Sequence, residues 1–184
     1  MALGEYLGLL GARRGSMTAV VELLPRDPTI VETGSIREEH NWQGDGQSTR
    51  IWDAVIAERG GRAFSVDIDP VAVELTQRLA PRVEVVCSDS VKYLSQLTLD
   101  SIDLLFLDSR DFGPGFDGEF AASLHAMHEL CAAAHCRPKI VMVDDSIELN
   151  GHVVGKAAIA GDYLKKIGAQ IVISDRCQVA WKLI

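Results

Sequence analysis

The last two apolar runs of this chain lie too close together in sequence to be parallel neighbours. Residues 169–175 and 178–184 both predict strands, and only Arg176 and Cys177 separate them. A parallel crossover needs about a dozen residues or more, so these two strands must pair as an antiparallel hairpin. Any fold for this chain therefore ends with a reversed strand.

Five further apolar runs alternate with helix-like segments. The runs are continuous in Val, Ile, Leu and Phe, which is typical of strands covered on both faces of a parallel sheet. They lie at 29–34, 63–69, 83–88, 102–108 and 139–146, and helices are predicted at 48–59, 70–80, 90–97, 118–135 and 155–168. We expect a doubly wound, Rossmann-like α/β fold with a seven-stranded, mostly parallel sheet and helices on both faces.

The length and composition predict one domain. A chain of 184 residues with 47% hydrophobic residues can bury a full core. Residues 1–27 predict a helical segment in front of a core spanning 28–184. The residues of this N-terminal segment that could pack against the core are Leu7, Leu9, Leu10, Val20, Val21, Leu23 and Leu24. Neither a membrane-length apolar run nor a secretory signal is recognisable, so we expect a soluble, cytoplasmic protein without a membrane partner.

The charge balance and the cysteines exclude several classes of function. The formal net charge is −8, and the basic residues are scattered rather than gathered on one stripe. Nucleic acid is therefore a disfavoured partner, and a small or neutral molecule fits better. The four cysteines form no CxxC pair, which argues against a role in metal binding or disulfides.

Acidic residues stand where the predicted strands end. In open α/β sheets, ligands bind beyond the carboxyl ends of the strands. A single acid there is commonly a helix N-cap, as we expect for Asp69 before Pro70. A whole row of acids instead predicts a polar ligand site at this edge. The row consists of Glu32, Asp67, Asp69, Asp89, Asp108, Asp144 and Asp145.

The first strand ends in Glu32, Thr33 and Gly34, and a long polar loop follows it. A glycine lets backbone approach a ligand closely, while a carboxylate accepts hydrogen bonds from an ammonium or a hydroxyl. Asp67, at the end of the second strand, stands where doubly wound folds place the acid that holds a ribose diol. Ser48 is the predicted cap of the helix after the loop.

The stretches VETGS, GDGQST, SVDIDP, CSDS and LLFLDS resemble, in this order and spacing, the class I S-adenosylmethionine (SAM)-dependent methyltransferases over residues 28–184. The resemblance implies strand order 3-2-1-4-5-7-6 and SAM as cofactor. It places Glu32 and Gly34 at the methionine moiety, Asp67 at the ribose, and Asp89 with Ser90 at the adenine. The complete cofactor set that we predict is Glu32, Thr33, Gly34, Ser48, Asp67, Ile68, Asp89, Ser90 and Asp108.

The chain departs from the family at the glycine-rich loop. In place of the compact E/DxGxGxG it has the longer ETGSIREEHNWQGDGQST. Which loop residues touch the cofactor therefore stays open; the candidates are Ser35, Gly44, Gly46, Gln47 and Ser48.

Asp108, Asp144 and Asp145 resemble the metal site of the catechol O-methyltransferase-like group, where an Asp-Asn pair ends strand five. This implies Mg²⁺ or Mn²⁺ on three carboxylates, which suit hard cations. The alternative is that Asp108 borders the sulfonium while Asp144 and Asp145 cap the next segment. The predicted catalytic residues are Asp108, Asp144 and Asp111.

The identity of the proton acceptor stays open, because this chain lacks the lysine that the catechol O-methyltransferase-like group carries after strand four. Asp111, His152 and Lys156 are the candidates. Three further histidines are interpreted as surface or packing residues, and three aromatic residues either line an acceptor pocket or anchor loops. These are His125, His128 and His135, and Trp42, Phe112 and Phe116.

The predicted activity is O-methylation of a small hydroxylated molecule, in a pocket that is either small or completed by a second subunit of a homodimer. Two alternatives remain. A non-catalytic binding or assembly subunit could keep the same sheet. An NAD-dependent oxidoreductase would need GxGxxG opening directly into a helix, whereas ETGSIR offers one glycine.

Overall fold

A seven-stranded sheet forms the centre of the protein in the computed structural model, which describes residues 1–44, 47–111 and 116–183. The strands run in the order β3-β2-β1-β4-β5-β9-β8, and β9 runs in the direction opposite to the other six. The predicted fold, strand order and reversed last strand are confirmed. The strand bounds are β1 Thr29–Thr33, β2 Arg62–Asp67, β3 Val83–Cys87, β4 Ile102–Leu107, β5 Pro138–Asp144, β8 Gln170–Ser174 and β9 Gln178–Lys182.

Helices cover both faces of the sheet, as the continuous apolar strands require. In β4, Leu104 and Phe106 face one hydrophobic cluster, and Leu105 and Leu107 face the other. Helices α1 to α4 contribute to the first cluster and α5 to α7 to the second. The helix bounds are α1 Leu3–Leu9, α2 Arg14–Leu23, α3 Ser48–Arg59, α4 Pro70–Leu79, α5 Ser90–Gln96, α6 Phe116–Ala133 and α7 Ala158–Lys166.

The N-terminal segment folds as two helices against the first cluster. Leu7, Leu10 and Val20 are buried there, as predicted, together with Val21 and Leu24. Leu9 and Leu23 are instead exposed, so two of the predicted packing positions are wrong. A helix presents only one stripe of residues to the core, and adjacent leucines cannot all lie on it.

A small hairpin between β5 and α7 was not predicted. Strand β6 (Ser146–Leu149) pairs with β7 (His152–Gly155), so α7 starts three residues later than expected. Its turn is Asn150-Gly151, and both residues have positive φ. Asn-Gly is a strong signal for a tight two-residue hairpin turn, and it could have identified this element.

Among the described residues, no helix is long and apolar enough to span a bilayer.

Candidate functional site

The tips of β1 and β4 meet at Gly34. Its φ is +88°, and a Cβ added there would lie 2.5 Å from the carbonyl oxygen of Asp108. The Asp108 amide donates to the Thr33 carbonyl at 3.0 Å, and the Gly34 amide donates to the Val66 carbonyl at 2.9 Å. Glycine is thus required here by the packing of the chain itself, and this packing sets Asp108 beside the end of β1.

Glu32, one residue before Thr33, is buried within the protein. Its carboxylate accepts hydrogen bonds from Thr49 Oγ1 at 2.6 Å, Trp52 Nε1 at 2.9 Å and Ser65 Oγ at 3.1 Å. Burial raises the pKa of Glu32 to about 7, although these bonds and one from Ser48 oppose the rise. A ligand that contacted Glu32 would have to share oxygens that protein donors already use.

Asp67 organises the loop after β1. Its Oδ2 accepts from the Ser35 amide at 2.8 Å, and its Oδ1 accepts from the Asp69 amide at 2.9 Å. Asp69 caps α4 through a 2.9 Å bond from the Val71 amide, as predicted. Asp67 is therefore fixed in place at the end of β2.

A cavity of about 300 Å³ opens beyond the tips of β2 and β3; we call it the β2–β3 cavity. Its lining brings together several predicted cofactor residues and the predicted catalytic residue Asp111. Ile68 is 73% exposed, so it offers an apolar surface at this site, and Asp89 caps α5 through the Lys92 amide at 2.8 Å. The lining residues are Val66, Asp67, Ile68, Asp89, Ser90, Ser109, Arg110, Asp111 and His125.

His125 belongs to this cavity, although the sequence suggested only a surface or packing role. Its Nε2 lies 3.2 Å from Ser90 Oγ and 3.4 Å from the Glu129 carboxylate. Glu129 is 1% exposed and also accepts a bond from Ser109 Oγ at 2.6 Å. The hydrogen bond with Glu129 raises the pKa of His125, although burial opposes this. His125 thus links α5 and α6 at the cavity wall.

We expect the His125–Glu129 pair to stabilise the protein at low pH and to lose that effect as the pH rises. The pKa of His125 is higher in the folded protein than in the unfolded chain. The stabilisation is therefore complete below the unfolded-state pKa and is lost as the pH rises through the folded-state pKa. Urea unfolding between pH 6 and 9 should show wild type losing roughly 1 kcal/mol relative to His125→Gln. The exposed His128 on the same helix provides the control, His128→Gln. Parallel pH curves for wild type and His125→Gln would contradict the role of the pair.

Asp108, Asp144 and Asp145 do come together, as predicted, with one ligand atom of each within 4.8 Å of the others. Two basic side chains occupy the same place. Arg13 Nε lies 3.0 Å from both oxygens of Asp144, and its Nη2 lies 3.2 Å from Asp145. Lys156 Nζ lies 2.7 Å from Asp108 and 3.0 Å from Asp145. We call these five residues the acidic cluster.

The protonation states within the acidic cluster follow from burial and charge. Burial and the charge of Asp144 raise the pKa of Asp108 well above its ordinary value, although Lys156 opposes this. Burial lowers the pKa of Lys156, but Asp108 and Asp145 outweigh burial and raise it above its ordinary value. Lys156 is therefore a permanent cation, which removes it from the candidates for proton acceptor.

Comparison with known proteins shows the fold. No protein-family model and no curated protein sequence matches the chain. Solved structures do: a TehB-like SAM-dependent methyltransferase from Corynebacterium glutamicum has a TM-score of 0.56 at 15% identity, over 92% of this chain and 88% of its own. An rRNA methylase from Streptococcus thermophilus has a TM-score of 0.58 at 13% identity, over 94% and 97%. The chain shares the fold of these two methyltransferases.

A third structure with the methyltransferase fold contains a ligand. This Streptococcus mutans protein was crystallised in complex with SAH, and it matches at a TM-score of 0.58 and 9% identity, over 94% of this chain and 98% of its own. At such identities the comparison concerns the arrangement of the backbone only.

Other predicted residues take different positions around the sheet. Asp111 pairs with Arg37 at 2.8 Å and is 74% exposed, so it lies at the β2–β3 cavity and not in the acidic cluster. His152 is exposed at the end of the β6–β7 hairpin. Trp42 stacks on Tyr6 with ring centroids 5.6 Å apart, and it also lines a narrow cleft beside Asp108, so it both anchors its loop and borders the candidate site.

The loop candidates divide in the same way. Ser48 and Gln47 line a narrow cleft beside Asp108. Ser48 is the first residue of α3 and not its predicted cap, because Gln47 holds the N-cap position. Ser35 is buried against Ser65. Gly44 is described, and its amide donates to the Asn41 side chain at 3.0 Å. Gly46, Phe112 and the side chain of Phe116 lie outside the described residues.

On the other side of the acidic cluster, a groove of about 570 Å³ runs between the β6–β7 hairpin and the β8–β9 turn. Asp145 belongs to both the acidic cluster and the lining of this groove, and Ile147 and Val154 form the apolar walls of the groove. The remaining lining residues are Glu119, Ser146, Gly155, Arg176 and Cys177. Sequence reasoning missed this groove, because the hairpin that forms its wall was not predicted.

Proposed function

We propose that this protein transfers a methyl group from SAM to the hydroxyl of a small molecule. One observation carries the proposal. A cavity lined by Asp67 and Asp89 lies beyond the tips of β2 and β3, and the close β1–β4 contact at Gly34 lies next to Asp108. In a doubly wound sheet this edge is the ligand site.

The residues around the β2–β3 cavity suit a nucleoside. Its volume of about 300 Å³ is at the lower end of the range for small-molecule sites. Asp67 is held rigidly by two backbone amides, and a carboxylate retains acceptor capacity for the two hydroxyls of a ribose. Ile68 offers an apolar surface to the adenine plane, and Asp89 with Ser90 lies at the base edge. We assign Glu32 a supporting role, since it ties β1 to α3.

Asp108 is the side chain that we propose as proton acceptor. SAM supplies a methyl group already activated on a sulfonium. The acceptor oxygen forms the new bond to the methyl carbon as the bond from sulfur to that carbon breaks, and the hydroxyl proton passes to the Asp108 carboxylate. A carboxylate with a raised pKa is a stronger base than an exposed one, and Lys156 holds Asp108 Oδ1 at 2.7 Å.

The acceptor that we propose is small and not strongly anionic. The groove beside Asp145 has a volume of about 570 Å³, which is within the range of small-molecule sites. Asp145 and Glu119 give it two carboxylates and Ile147 and Val154 give it apolar walls, so a hydroxylated molecule with an apolar portion fits. An RNA acceptor is disfavoured by the net charge of −8 and by a groove lining that offers one basic residue, Arg176, against the two carboxylates.

Calorimetric titration with SAM, SAH and NADH tests the proposal. We expect SAM and SAH to bind. NADH binding in their place would indicate an oxidoreductase, and no binding of any of the three would indicate a non-catalytic role. Methyl transfer to hydroxylated small molecules and to RNA, followed with radiolabelled SAM, then identifies the class of acceptor.

Asp67→Ala should weaken SAH binding by about 1–3 kcal/mol, the scale of a charge-assisted hydrogen bond. The matched control is Asp69→Ala. Asp69, just after β2, also accepts a hydrogen bond from a backbone amide, that of Val71, but it does not line the cavity. Titration calorimetry should show a strong loss for Asp67→Ala and a change of less than about twofold for Asp69→Ala. Equal affinities in both variants would mean that the ribose site is elsewhere.

A further inference from the structure

The acidic cluster has the carboxylates of a metal site but already holds its counter-charges. Arg13 approaches both oxygens of Asp144 at 3.0 Å and Asp145 at 3.2 Å. Lys156 approaches Asp108 at 2.7 Å and Asp145 at 3.0 Å. All three carboxylates are thereby linked in one chain of ion pairs.

We infer that Arg13 and Lys156 are the resident cations of this site and take the place of a divalent metal. Burial supports this: the side chains of Lys156 and Asp144 are each 4% exposed, and that of Arg13 is 21% exposed. An ammonium as enclosed as that of Lys156 does not exchange freely with solvent ions, and buried carboxylates require cationic partners. The metal site that the sequence suggested does not fit these neighbours.

The charges and the geometry both oppose a metal. The two cations leave the three carboxylates with a single net negative charge, which is weak attraction for a divalent ion. Mg²⁺ needs close to octahedral oxygen coordination at about 2.0–2.1 Å. An ion at the centre of the carboxylates would stand next to a guanidinium and an ammonium, and it could enter only if they left.

Arg13 is the decisive residue because it comes from outside the Rossmann-like core. It lies just before α2, and its Nη1 also donates to the Gln43 carbonyl at 2.9 Å. The guanidinium therefore joins the N-terminal segment, the loop after β1 and the tip of β5. Arg13 is a positioning residue: it holds Asp144 and Asp145 where a metal would otherwise hold them. This inference concerns the charge balance of the cluster and does not depend on methyl transfer.

The test is Mn²⁺ binding in the absence of SAM, read by electron paramagnetic resonance and by thermal unfolding. Wild type should bind no stoichiometric Mn²⁺, and its melting temperature should move by less than about 1 °C in millimolar Mn²⁺. The double variant Arg13→Met/Lys156→Met, which removes both resident cations, should gain one Mn²⁺ site and a rise in melting temperature of roughly 5 °C in millimolar Mn²⁺. The control is Arg14→Met, which removes an exposed neighbouring charge and should behave as wild type.

Stoichiometric Mn²⁺ binding by wild type that Asp144→Asn abolishes would overturn the inference. A folded double variant that still binds no Mn²⁺ would also overturn it, because Arg13 and Lys156 would then not be what excludes the metal. If the double variant does not fold, the wild-type titration decides alone. Methyl transfer, once an acceptor is known, should continue unchanged in excess chelator; loss of turnover that Mg²⁺ restores would count against the inference.

Discussion

Gly34→Ala should destabilise the protein by at least about 3 kcal/mol and abolish SAH binding. The new Cβ would lie 2.5 Å from the Asp108 carbonyl oxygen, and the backbone at φ +88° is unfavourable for any residue with a side chain. The obstacle is backbone rather than a movable side chain, so β1 and β4 would have to separate at the very edge where the ligand site lies. Urea unfolding measures the first effect and titration calorimetry the second.

Gly168→Ala is the matched control for this prediction. Gly168 has almost the same φ, +87°, but an added Cβ there meets no atom within 4 Å. Gly168→Ala should lose only the stability that a side chain costs at positive φ, about 1–2 kcal/mol, and should leave SAH binding intact. If both variants lost the same stability, the contact between Gly34 and Asp108 would not be what demands glycine.

Glu32→Gln should remove a pH dependence of about 3 kcal/mol from the stability of the protein. Burial raises the pKa of Glu32 from an ordinary 4.5 to about 7. Between these values the folded state binds more protons than the unfolded state, so the contribution is complete below pH 4.5 and is lost as the pH rises to about 7. Glutamine has nearly the same shape, and the hydroxyls of Thr49 and Ser65 can rotate to accept from its amide.

Urea unfolding at pH 4.5 to 8 measures this effect as the difference between wild type and variant. The free energy of unfolding of the variant should rise relative to that of wild type as the pH increases, and the variant should be the more stable protein above pH 7. Glu22→Gln, which removes an exposed carboxylate on α2, should follow wild type throughout. Parallel curves for wild type and Glu32→Gln would indicate that the bonds from Thr49, Trp52 and Ser65 fully offset the cost of burying the charge.

The fold could be predicted from the sequence because it depends on repeated local signals. Apolar runs of strand length, helical segments between them and the short link at 176–177 restrict the chain to one architecture. The β6–β7 hairpin was missed because its strands are short and half exposed, so they give little apolar periodicity. The Asn150-Gly151 turn was the available signal.

The candidate site was predicted less completely. Positions at strand ends are set by the topology, so Asp67, Asp89, Asp108 and Asp144 could be placed at one edge from the sequence. Their partners could not: the sequence offered Lys156 only as a candidate proton acceptor and gave no sign of Arg13. Arg13 reaches the carboxylates from the N-terminal helices and Lys156 from the end of the hairpin, while Glu32 is enclosed by α3. These contacts depend on three-dimensional packing, which periodicity does not encode.

The bond between Arg13 and Asp144 joins residues 131 positions apart. A ribosome that adds roughly 5–20 residues per second makes Arg13 many seconds before Asp144 exists. During that interval the guanidinium on the nascent chain has none of its carboxylate partners from β5. The final assembly of this edge is therefore a late event in biosynthesis, and a chain released before β5 is complete would have strands β1 to β4 but no balanced site.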